Sequence, residues 1–273
     1  MMTQAGDARG CYGAPLGDCS GPLNREHFVS KHLLKQLEEG GVLQVTGYPH
    51  GHNVGTLLMS AESMSAKVLC ESHNRRLSNV DTEGGRFLLA FFSAHVGLLE
   101  EKLTTDIMNV FDGPLIERWM LKYGCGLLAS GQAGVGMERV HRTHPPLEFL
   151  RALYGLEALP DEWGLYTRPS NSIAVMEQKD IALSLYLPPL QPTGRRAVSG
   201  VIVEHYGLTS ILALRKPQKP FAGTDLEGSF HHPEFFEFSY KPTRRRVVIA
   251  VKWPDPKRGC GFVLELHKGR PAT

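Results

Sequence analysis

The sequence predicts an α+β protein with a mixed N-terminal module, a helical middle and a β-rich C-terminal part. Three observations carry this expectation. Cysteines, histidines and acidic residues crowd into two short stretches before residue 85. From Phe87 to Leu128, apolar residues dominate at helical spacing. Beyond Pro160, short β-branched and aromatic runs alternate with Pro, Gly and charged turns. The expected organisation is a disordered start (1–10), a compact module (11–85), a helical region packed on it (86–155) and a β-rich recognition or partner domain (156–273).

The bulk composition narrows the classes. A chain of 273 residues can form two modest domains or one large one. A formal net charge of +2 excludes a molecule that is strongly basic throughout. The charge is uneven, with 14 Lys+Arg against 7 Asp+Glu from Gly194 onward. That excess suits phosphate contact and suits a solvated sheet surface equally. Five cysteines do not make a disulfide framework in a chain this long. Their odd number, with a Cys-x-x-His pair, points to a reducing compartment. The first ten residues are polar and lack an apolar signal core. The longest apolar run, Phe87 to Leu99, falls short of the ~20 residues a membrane helix needs. A cytoplasmic protein without a membrane partner is expected.

Taken in order, Cys11 to Asn24 is rich in Gly, Pro, Asp and Ser, hence turns. Glu26-His27-Phe28-Val29 begins a strand. Lys31 to Glu38 places Leu33, Leu34 and Leu37 on one helical face, closed by Gly40-Gly41. Val42 to Thr46 reads as a strand and Tyr48 to Asn53 as a turn. Lys67 to Cys70 is a short strand, and a helix starts around Ser72 to Asn74. Asp81-Thr-Glu-Gly-Gly85 interrupts or ends that helix. Phe87 to Leu103 is a strong helix, Ile107 to Leu128 one or two more, and Leu147 to Tyr154 a short one. Strands are expected at 173–176, 181–187, 197–205, 210–214, 235–240 and 246–251.

Two sets of residues have the chemistry of metal ligands. Cys11, Cys19, Cys70 and His73 supply the four thiolate or imidazole donors of a structural zinc site. Cys70-x-x-His73 has knuckle spacing at a strand-to-helix turn. The alternative is a small buried thiol beside a helix-start histidine. Glu26 and Asn74 offer oxygen donors, the type that Mg2+ or Mn2+ prefers. His27 adjoins Glu26, and a neutral imidazole near a phosphodiester can deprotonate water.

In their order these pieces resemble the HNH nucleases over roughly residues 11–85. Glu26-His27 matches the acidic-His pair on the first strand of the ββα-metal motif. Val68-Leu-Cys70-x-x-His73-Asn74-x-x-Leu77 matches the turn and helix start of its zinc-knuckle variant. The resemblance implies that His27 is the general base, that Asn74 binds the catalytic ion, and that Glu26 is a second ligand. It implies a structural Zn2+ on Cys11, Cys19, Cys70 and His73, and a catalytic Mg2+ or Mn2+. Asn53 is the candidate for the motif's middle asparagine, with a plain turn residue as the alternative. His73 stands where a second cysteine is usual, and the step of 46 positions from His27 to His73 requires an insertion.

Arg75 and Arg76 follow Asn74, either to grip phosphate or to form a solvated helix face. Arg244, Arg245 and Arg246 suit a nucleic-acid backbone or a charged hairpin end. His231-His232 shows no partner. No Gly-x-x-x-x-Gly-Lys-Ser/Thr or Gly-x-Gly-x-x-Gly signature is present.

The first reading is therefore a metal-dependent DNA endonuclease, acting on double-stranded DNA in preference to RNA. The sequence shows no aromatic platform for single-stranded bases. One such site cuts one strand, so a homodimer or partner protein is implied. By resemblance, the setting is restriction or antiviral defence. The second reading is a catalytically inactive, zinc-stabilised module that binds nucleic acid or protein.

Overall fold

The computed structural model describes residues 10–38, 41–50, 53–132, 134–135, 138–139, 142–169, 181–186, 200–214, 226, 228–256 and 259–267. For 44–50, 53–56, 134–135, 138–139 and 181–186 it describes the backbone alone. The chain is α+β, as expected. Its elements begin with β1 (Leu23–His27), α1 (Lys31–Leu37), β2 (Leu43–His50), β3 (Asn53–Met59), β4 (Ser65–Cys70), α2 (Glu71–Arg76) and α3 (Ser78–Leu99). There follow β5 (Ile107–Asp112), α4 (Gly113–Ser130), β6 (Gly134–Val135), β7 (Glu138–Arg139) and α5 (Leu147–Leu153). The remaining described strands are β8 (Gly164–Pro169), β9 (Ile181–Tyr186), β10 (Gly200–His205), β11 (Leu208–Ala213), β12 (Phe230–His231), β13 (Phe235–Tyr240), β14 (Arg245–Lys252) and β15 (Gly261–Leu266).

These elements gather into two compact units. One comprises Met1–Gly85 with Arg118–Ala158, the other Arg86–Glu117 with Leu159–Thr273. The boundaries differ from the successive segments 11–85, 86–155 and 156–273. Helices α3 and α4 each contribute residues to both units, which a cut along the chain cannot express.

In the first unit β1 pairs antiparallel with β4, Leu23 opposite Cys70 and His27 opposite Ser65. A bulge falls between Asn24 and Arg25. The long gap between the two halves of the motif is filled by α1 and the β2–β3 hairpin. That hairpin corrects the turn expected over Tyr48 to Asn53. His50 pairs with Asn53, so β2 runs through Pro49 and only residues 51–52 separate the strands. Pro49 is tolerated because a two-stranded ribbon has only edge strands.

Helix α2 starts directly after Cys70, one residue earlier than expected, and α3 restarts after Leu77. The expected break at Asp81 to Gly85 does not occur. Each glycine inside a helix costs about 1 kcal/mol relative to Ala. Gly84 is nevertheless required there, because a Cβ would overlap the Trp119 indole of α4. Close approach of two helices, not a helix stop, explains that glycine. Helix α3 ends at Leu99 rather than Leu103.

The second unit corrects another helix. Residues 107–112 form β5, paired parallel to β14 with Ile107 opposite Val247. Asp112 ends the strand and accepts the Leu115 backbone N–H at 3.0 Å. Gly113-Pro114 then opens α4, with Pro where no N–H is needed. A four-stranded sheet runs β15-β13-β14-β5, and a five-stranded one runs β12-β8-β11-β10-β9. Phe87 and Phe91 of α3 contribute to the core of this unit. The Phe91 ring lies 4.5 Å from His205 of the five-stranded sheet and 5.1 Å from Phe236 of the four-stranded one.

His231 and His232 have partners after all. His231 stacks on Tyr166 and on His232, and His232 stacks on Trp253 and pairs with Glu117 at 2.9 Å. Residues 1–9 and 173–176, expected as a disordered start and a strand, lie outside the described residues. Among the described residues no helix is long and apolar enough to cross a membrane.

Gly84→Ala is expected to lower the unfolding free energy by about 1–3 kcal/mol, the usual range for overpacking. Urea unfolding followed by circular dichroism checks this, and an unchanged midpoint would count against the helix contact.

Candidate metal centre and adjoining cleft

The segment before β1 is strapped onto the β4–α2 junction by its backbone. Tyr12 donates to the Val68 carbonyl at 2.9 Å, Glu71 to Pro22 at 3.0 Å and Ser72 to Ser20 at 3.2 Å. The last two bonds use orphan N–H groups of the α2 N-terminus. This strap returns Cys11 and Cys19 to Cys70 and His73. The Cys11, Cys19 and Cys70 sulfurs lie 3.5, 3.5 and 3.2 Å from His73 Nδ1. The four donor atoms all fall within 4.8 Å of one another.

Tetrahedral zinc holds sulfur and nitrogen donors about 3.5 Å apart, given Zn–S near 2.3 Å and Zn–N near 2.0 Å. The donor set and its spacing fit. The Cys11/Cys19/Cys70/His73 cluster could therefore hold a metal ion such as zinc. Gly13 is part of the fit, since a Cβ there would come within 2.8 Å of the His73 ring. Tyr154 closes the other side, its ring 5.3 Å from His73 and its hydroxyl donating to the His73 carbonyl at 3.2 Å.

Without metal two of the three thiols resist ionisation. Burial pushes the Cys11 thiol up, and burial with the neighbouring thiols pushes Cys19 up to about 12. Burial raises Cys70 as well, but the backbone N–H groups of His73 and Ser20 outweigh it and leave that thiol below its ordinary value. Burial lowers His73.

Beside the centre lies a cleft of about 350 Å³ lined by Asn24, Arg25, Glu26, His27, Glu71, Asn74, Arg75, Leu77, Ser78, Asp81 and Lys122. It brings Glu26, His27, Asn74 and Arg75 to one concavity. Arg76 does not join them. Its guanidinium lies over the Tyr154 ring, 4.9 Å from the centroid. Arg75 is exposed and ion-paired to Glu71 at 2.5 Å. The Asn53 side chain lies outside the described residues. Arg244, Arg245 and Arg246 belong to the other unit, at the β13–β14 turn. There Arg246 reaches Asp106 at 3.4 Å and Glu237 at 3.8 Å.

The electrostatics of the cleft centre on Lys122, which the sequence reading missed. Its ammonium meets Glu26 at 2.5 Å and Asp81 at 2.6 Å, and donates to the His27 carbonyl at 3.0 Å. Burial raises the Glu26 pKa, and Lys122 opposes that rise. Burial would depress Lys122, but Glu26 and Asp81 outweigh it and hold the ammonium charged. Burial lowers His27, and the Glu62 carboxylate partly offsets this. His27 Nε2 makes no hydrogen bond, and Glu62 lies 3.4 Å away without hydrogen-bond geometry. The signal for Lys122 was present in the sequence: a lone charge inside Trp119-Met-Leu-Lys122-Tyr-Gly-Cys-Gly-Leu-Leu. Comparison with known proteins adds nothing to this geometry, since no family model, no curated protein and no solved structure matches the chain.

The purified chain is expected to carry one zinc, and Cys70→Ala to lose it. Because Cys11 and Cys19 resist deprotonation, metal binding must release protons, so affinity should fall as pH falls. Metal analysis after dialysis at stepped pH checks both points, and zinc retained by Cys70→Ala would refute the cluster.

Proposed function

We propose that the chain is a metal-dependent phosphodiesterase acting on DNA, of the HNH kind that its residues resemble. The observation that carries this reading is the shared cleft. Glu26 and His27 end one strand of the β1–β4 ribbon, Asn74 and Arg75 come from the helix that follows, and all four line it. A strand-strand-helix unit beside a Cys3His cluster is the arrangement the resemblance implies.

His27 suits a general base. Burial lowers its pKa and so favours the neutral imidazole, and Nε2, buried 3.4 Å from Glu62, makes no hydrogen bond. Arg75 would hold a phosphate oxygen at the rim, exchanging Glu71 for the ligand. Asn74 would hold Mg2+ or Mn2+, which supplies charge neutralisation at the phosphate when bound, while the Glu26 carboxylate, the second ligand the resemblance implies, is already paired to Lys122. The Cys3His centre would fix the ribbon against the helix, so that His27 and Asn74 keep their separation. The substrate would be double-stranded DNA, with two copies or a partner for double-strand cleavage and a role in restriction or antiviral defence.

The zinc-stabilised binding module remains the second reading. The observation that favours it is the Glu26 carboxylate, buried and already paired to an ammonium. Nicking of supercoiled plasmid separates the two. The nuclease reading expects cutting in Mg2+ or Mn2+, none in EDTA, and a loss of about 10²–10⁴-fold in His27→Ala with zinc retained. DNA held in EDTA and indifference to His27→Ala would favour the binding module.

The pH dependence has a definite sign. His27 is a base only when neutral, so activity should fall as pH drops through its depressed pKa. Glu62 raises that pKa. Glu62→Gln should therefore shift the acid limb to lower pH, measured as the rate profile of nicking. A shift to higher pH would contradict the role of His27.

A further inference from the structure

We infer that Lys122 is the positioning residue of this cleft: a resident cation that takes up the Glu26 carboxylate and fixes the strand end from which His27 stands. Only the kinetic part rests on the nuclease reading. The charge cluster stands without it.

Lys122 comes from α4, outside the stretch that carries the resemblance. Its side chain is 2% exposed. An ammonium has three N–H donors. Three oxygens surround this one: Glu26 Oε1 at 2.5 Å, Asp81 Oδ1 at 2.6 Å and the His27 carbonyl at 3.0 Å. Asp81 and the His27 carbonyl take two of the donors as hydrogen bonds, while Glu26 Oε1 is an ion-pair contact without hydrogen-bond geometry. With its side chain 2% exposed, Lys122 is not placed to grip a phosphate or protonate a leaving group, so it acts through its neighbours.

What it positions follows from where those oxygens sit. Strand β1 ends at His27. Holding the His27 carbonyl fixes a residue that lines the cleft. Glu26, one residue back, is held by the same ammonium. The third acceptor, Asp81, ties the cluster to α3. Ser30 donates to the Asp81 carbonyl at 2.6 Å, and Trp119 Nε1 donates to the Ser30 hydroxyl at 3.1 Å. Trp119 and Lys122 stand three residues apart on α4, hence on one helix face. One turn of α4 thus braces both the loop after β1 and the strand end.

The same geometry changes the part assigned to Glu26. A divalent ion on its carboxylate would sit a few ångströms from a buried ammonium, where like-charge repulsion is poorly screened. Glu26 serves as the anchor of Lys122, and a divalent ion in the cleft would rely on Asn74. Removing the ammonium would leave two carboxylates and a carbonyl converging on one vacated spot. That all-oxygen set is what a hard divalent cation takes.

The test compares zinc-loaded wild type, Lys122→Met, Glu26→Gln and the double variant by Mn2+ titration, read by electron paramagnetic resonance. Lys122→Met should gain one Mn2+ site over the wild type, while Glu26→Gln should bind Mn2+ as the wild type does. No added site in Lys122→Met, or weaker Mn2+ binding in Glu26→Gln, overturns the inference. If Lys122→Met does not fold, the double variant decides. Removing both charges should recover a folded, zinc-loaded chain, and failure to do so counts against the inference. In the nicking assay Lys122→Met should lose about 10²-fold in kcat with KM unchanged, as expected of misplacement, and Lys122→Arg should recover part of it. Wild type that never nicks would sink the nuclease reading, while the Mn2+ titration would still decide on Lys122.

Discussion

A lysine ammonium out of water must be paired, and the first unit is arranged around that requirement. Removing one partner of a buried ion pair costs about 3–5 kcal/mol. Lys122 finds its partners on β1 and α3, at positions 95 and 41 residues away in sequence. Those elements cannot drift apart without stranding a charge. The cleft between them inherits its shape from the same contacts. His27, Glu26 and Asp81 line it because each gives an oxygen to the ammonium that holds them.

The Cys3His centre supplies what the β1–β4 ribbon lacks. A two-stranded ribbon is marginally stable alone. Here the strap from Cys11 to Pro22 covers its end, donating to Val68 and accepting from Glu71 and Ser72. Four donors from three separate places in the chain then converge at the β4–α2 turn. The Cys3His cluster and the ion pair thus lie at opposite ends of the ribbon: the cluster at Cys70, paired with Leu23, and the ammonium at His27. Fixing both ends sets the register in which Glu26 and His27 present themselves.

The second unit relies on different physics. Strands β9, β10, β11, β13 and β14 read as strands in the sequence because β-branched and aromatic runs are bounded there by turn residues, whereas β5 read as helix and β8, β12 and β15 were not read at all. Its core includes aromatic edge contacts, with Phe91 meeting His205, Phe236 and Phe238. The column Tyr166–His231–His232–Trp253 adds stacked rings that no spacing rule anticipates. Their positions span 87 residues, and only sheet pairing places them in one stack.

Local chemistry was legible in the chain. Cys70-x-x-His73 announced its knuckle, Leu33, Leu34 and Leu37 their helix, and the β-branched runs after Pro160 their strands, because each signal lies within a few residues. Where the reading erred, a distant partner had overruled the local rule. Gly84-Gly85 looked like a helix stop until Trp119 filled the space a Cβ would take. Ile107 to Asp112 looked helical until β14 offered it a parallel neighbour. By itself the sequence determined the donor types, the order of the ribbon and helix, and the α+β class, since these follow from residue chemistry and short periodicities. Only the tertiary structure decided that Cys11 and Cys19 reach His73, and that a lone lysine 95 residues from His27 anchors the cleft. A buried charge chooses its partners by distance in space, which no local pattern encodes.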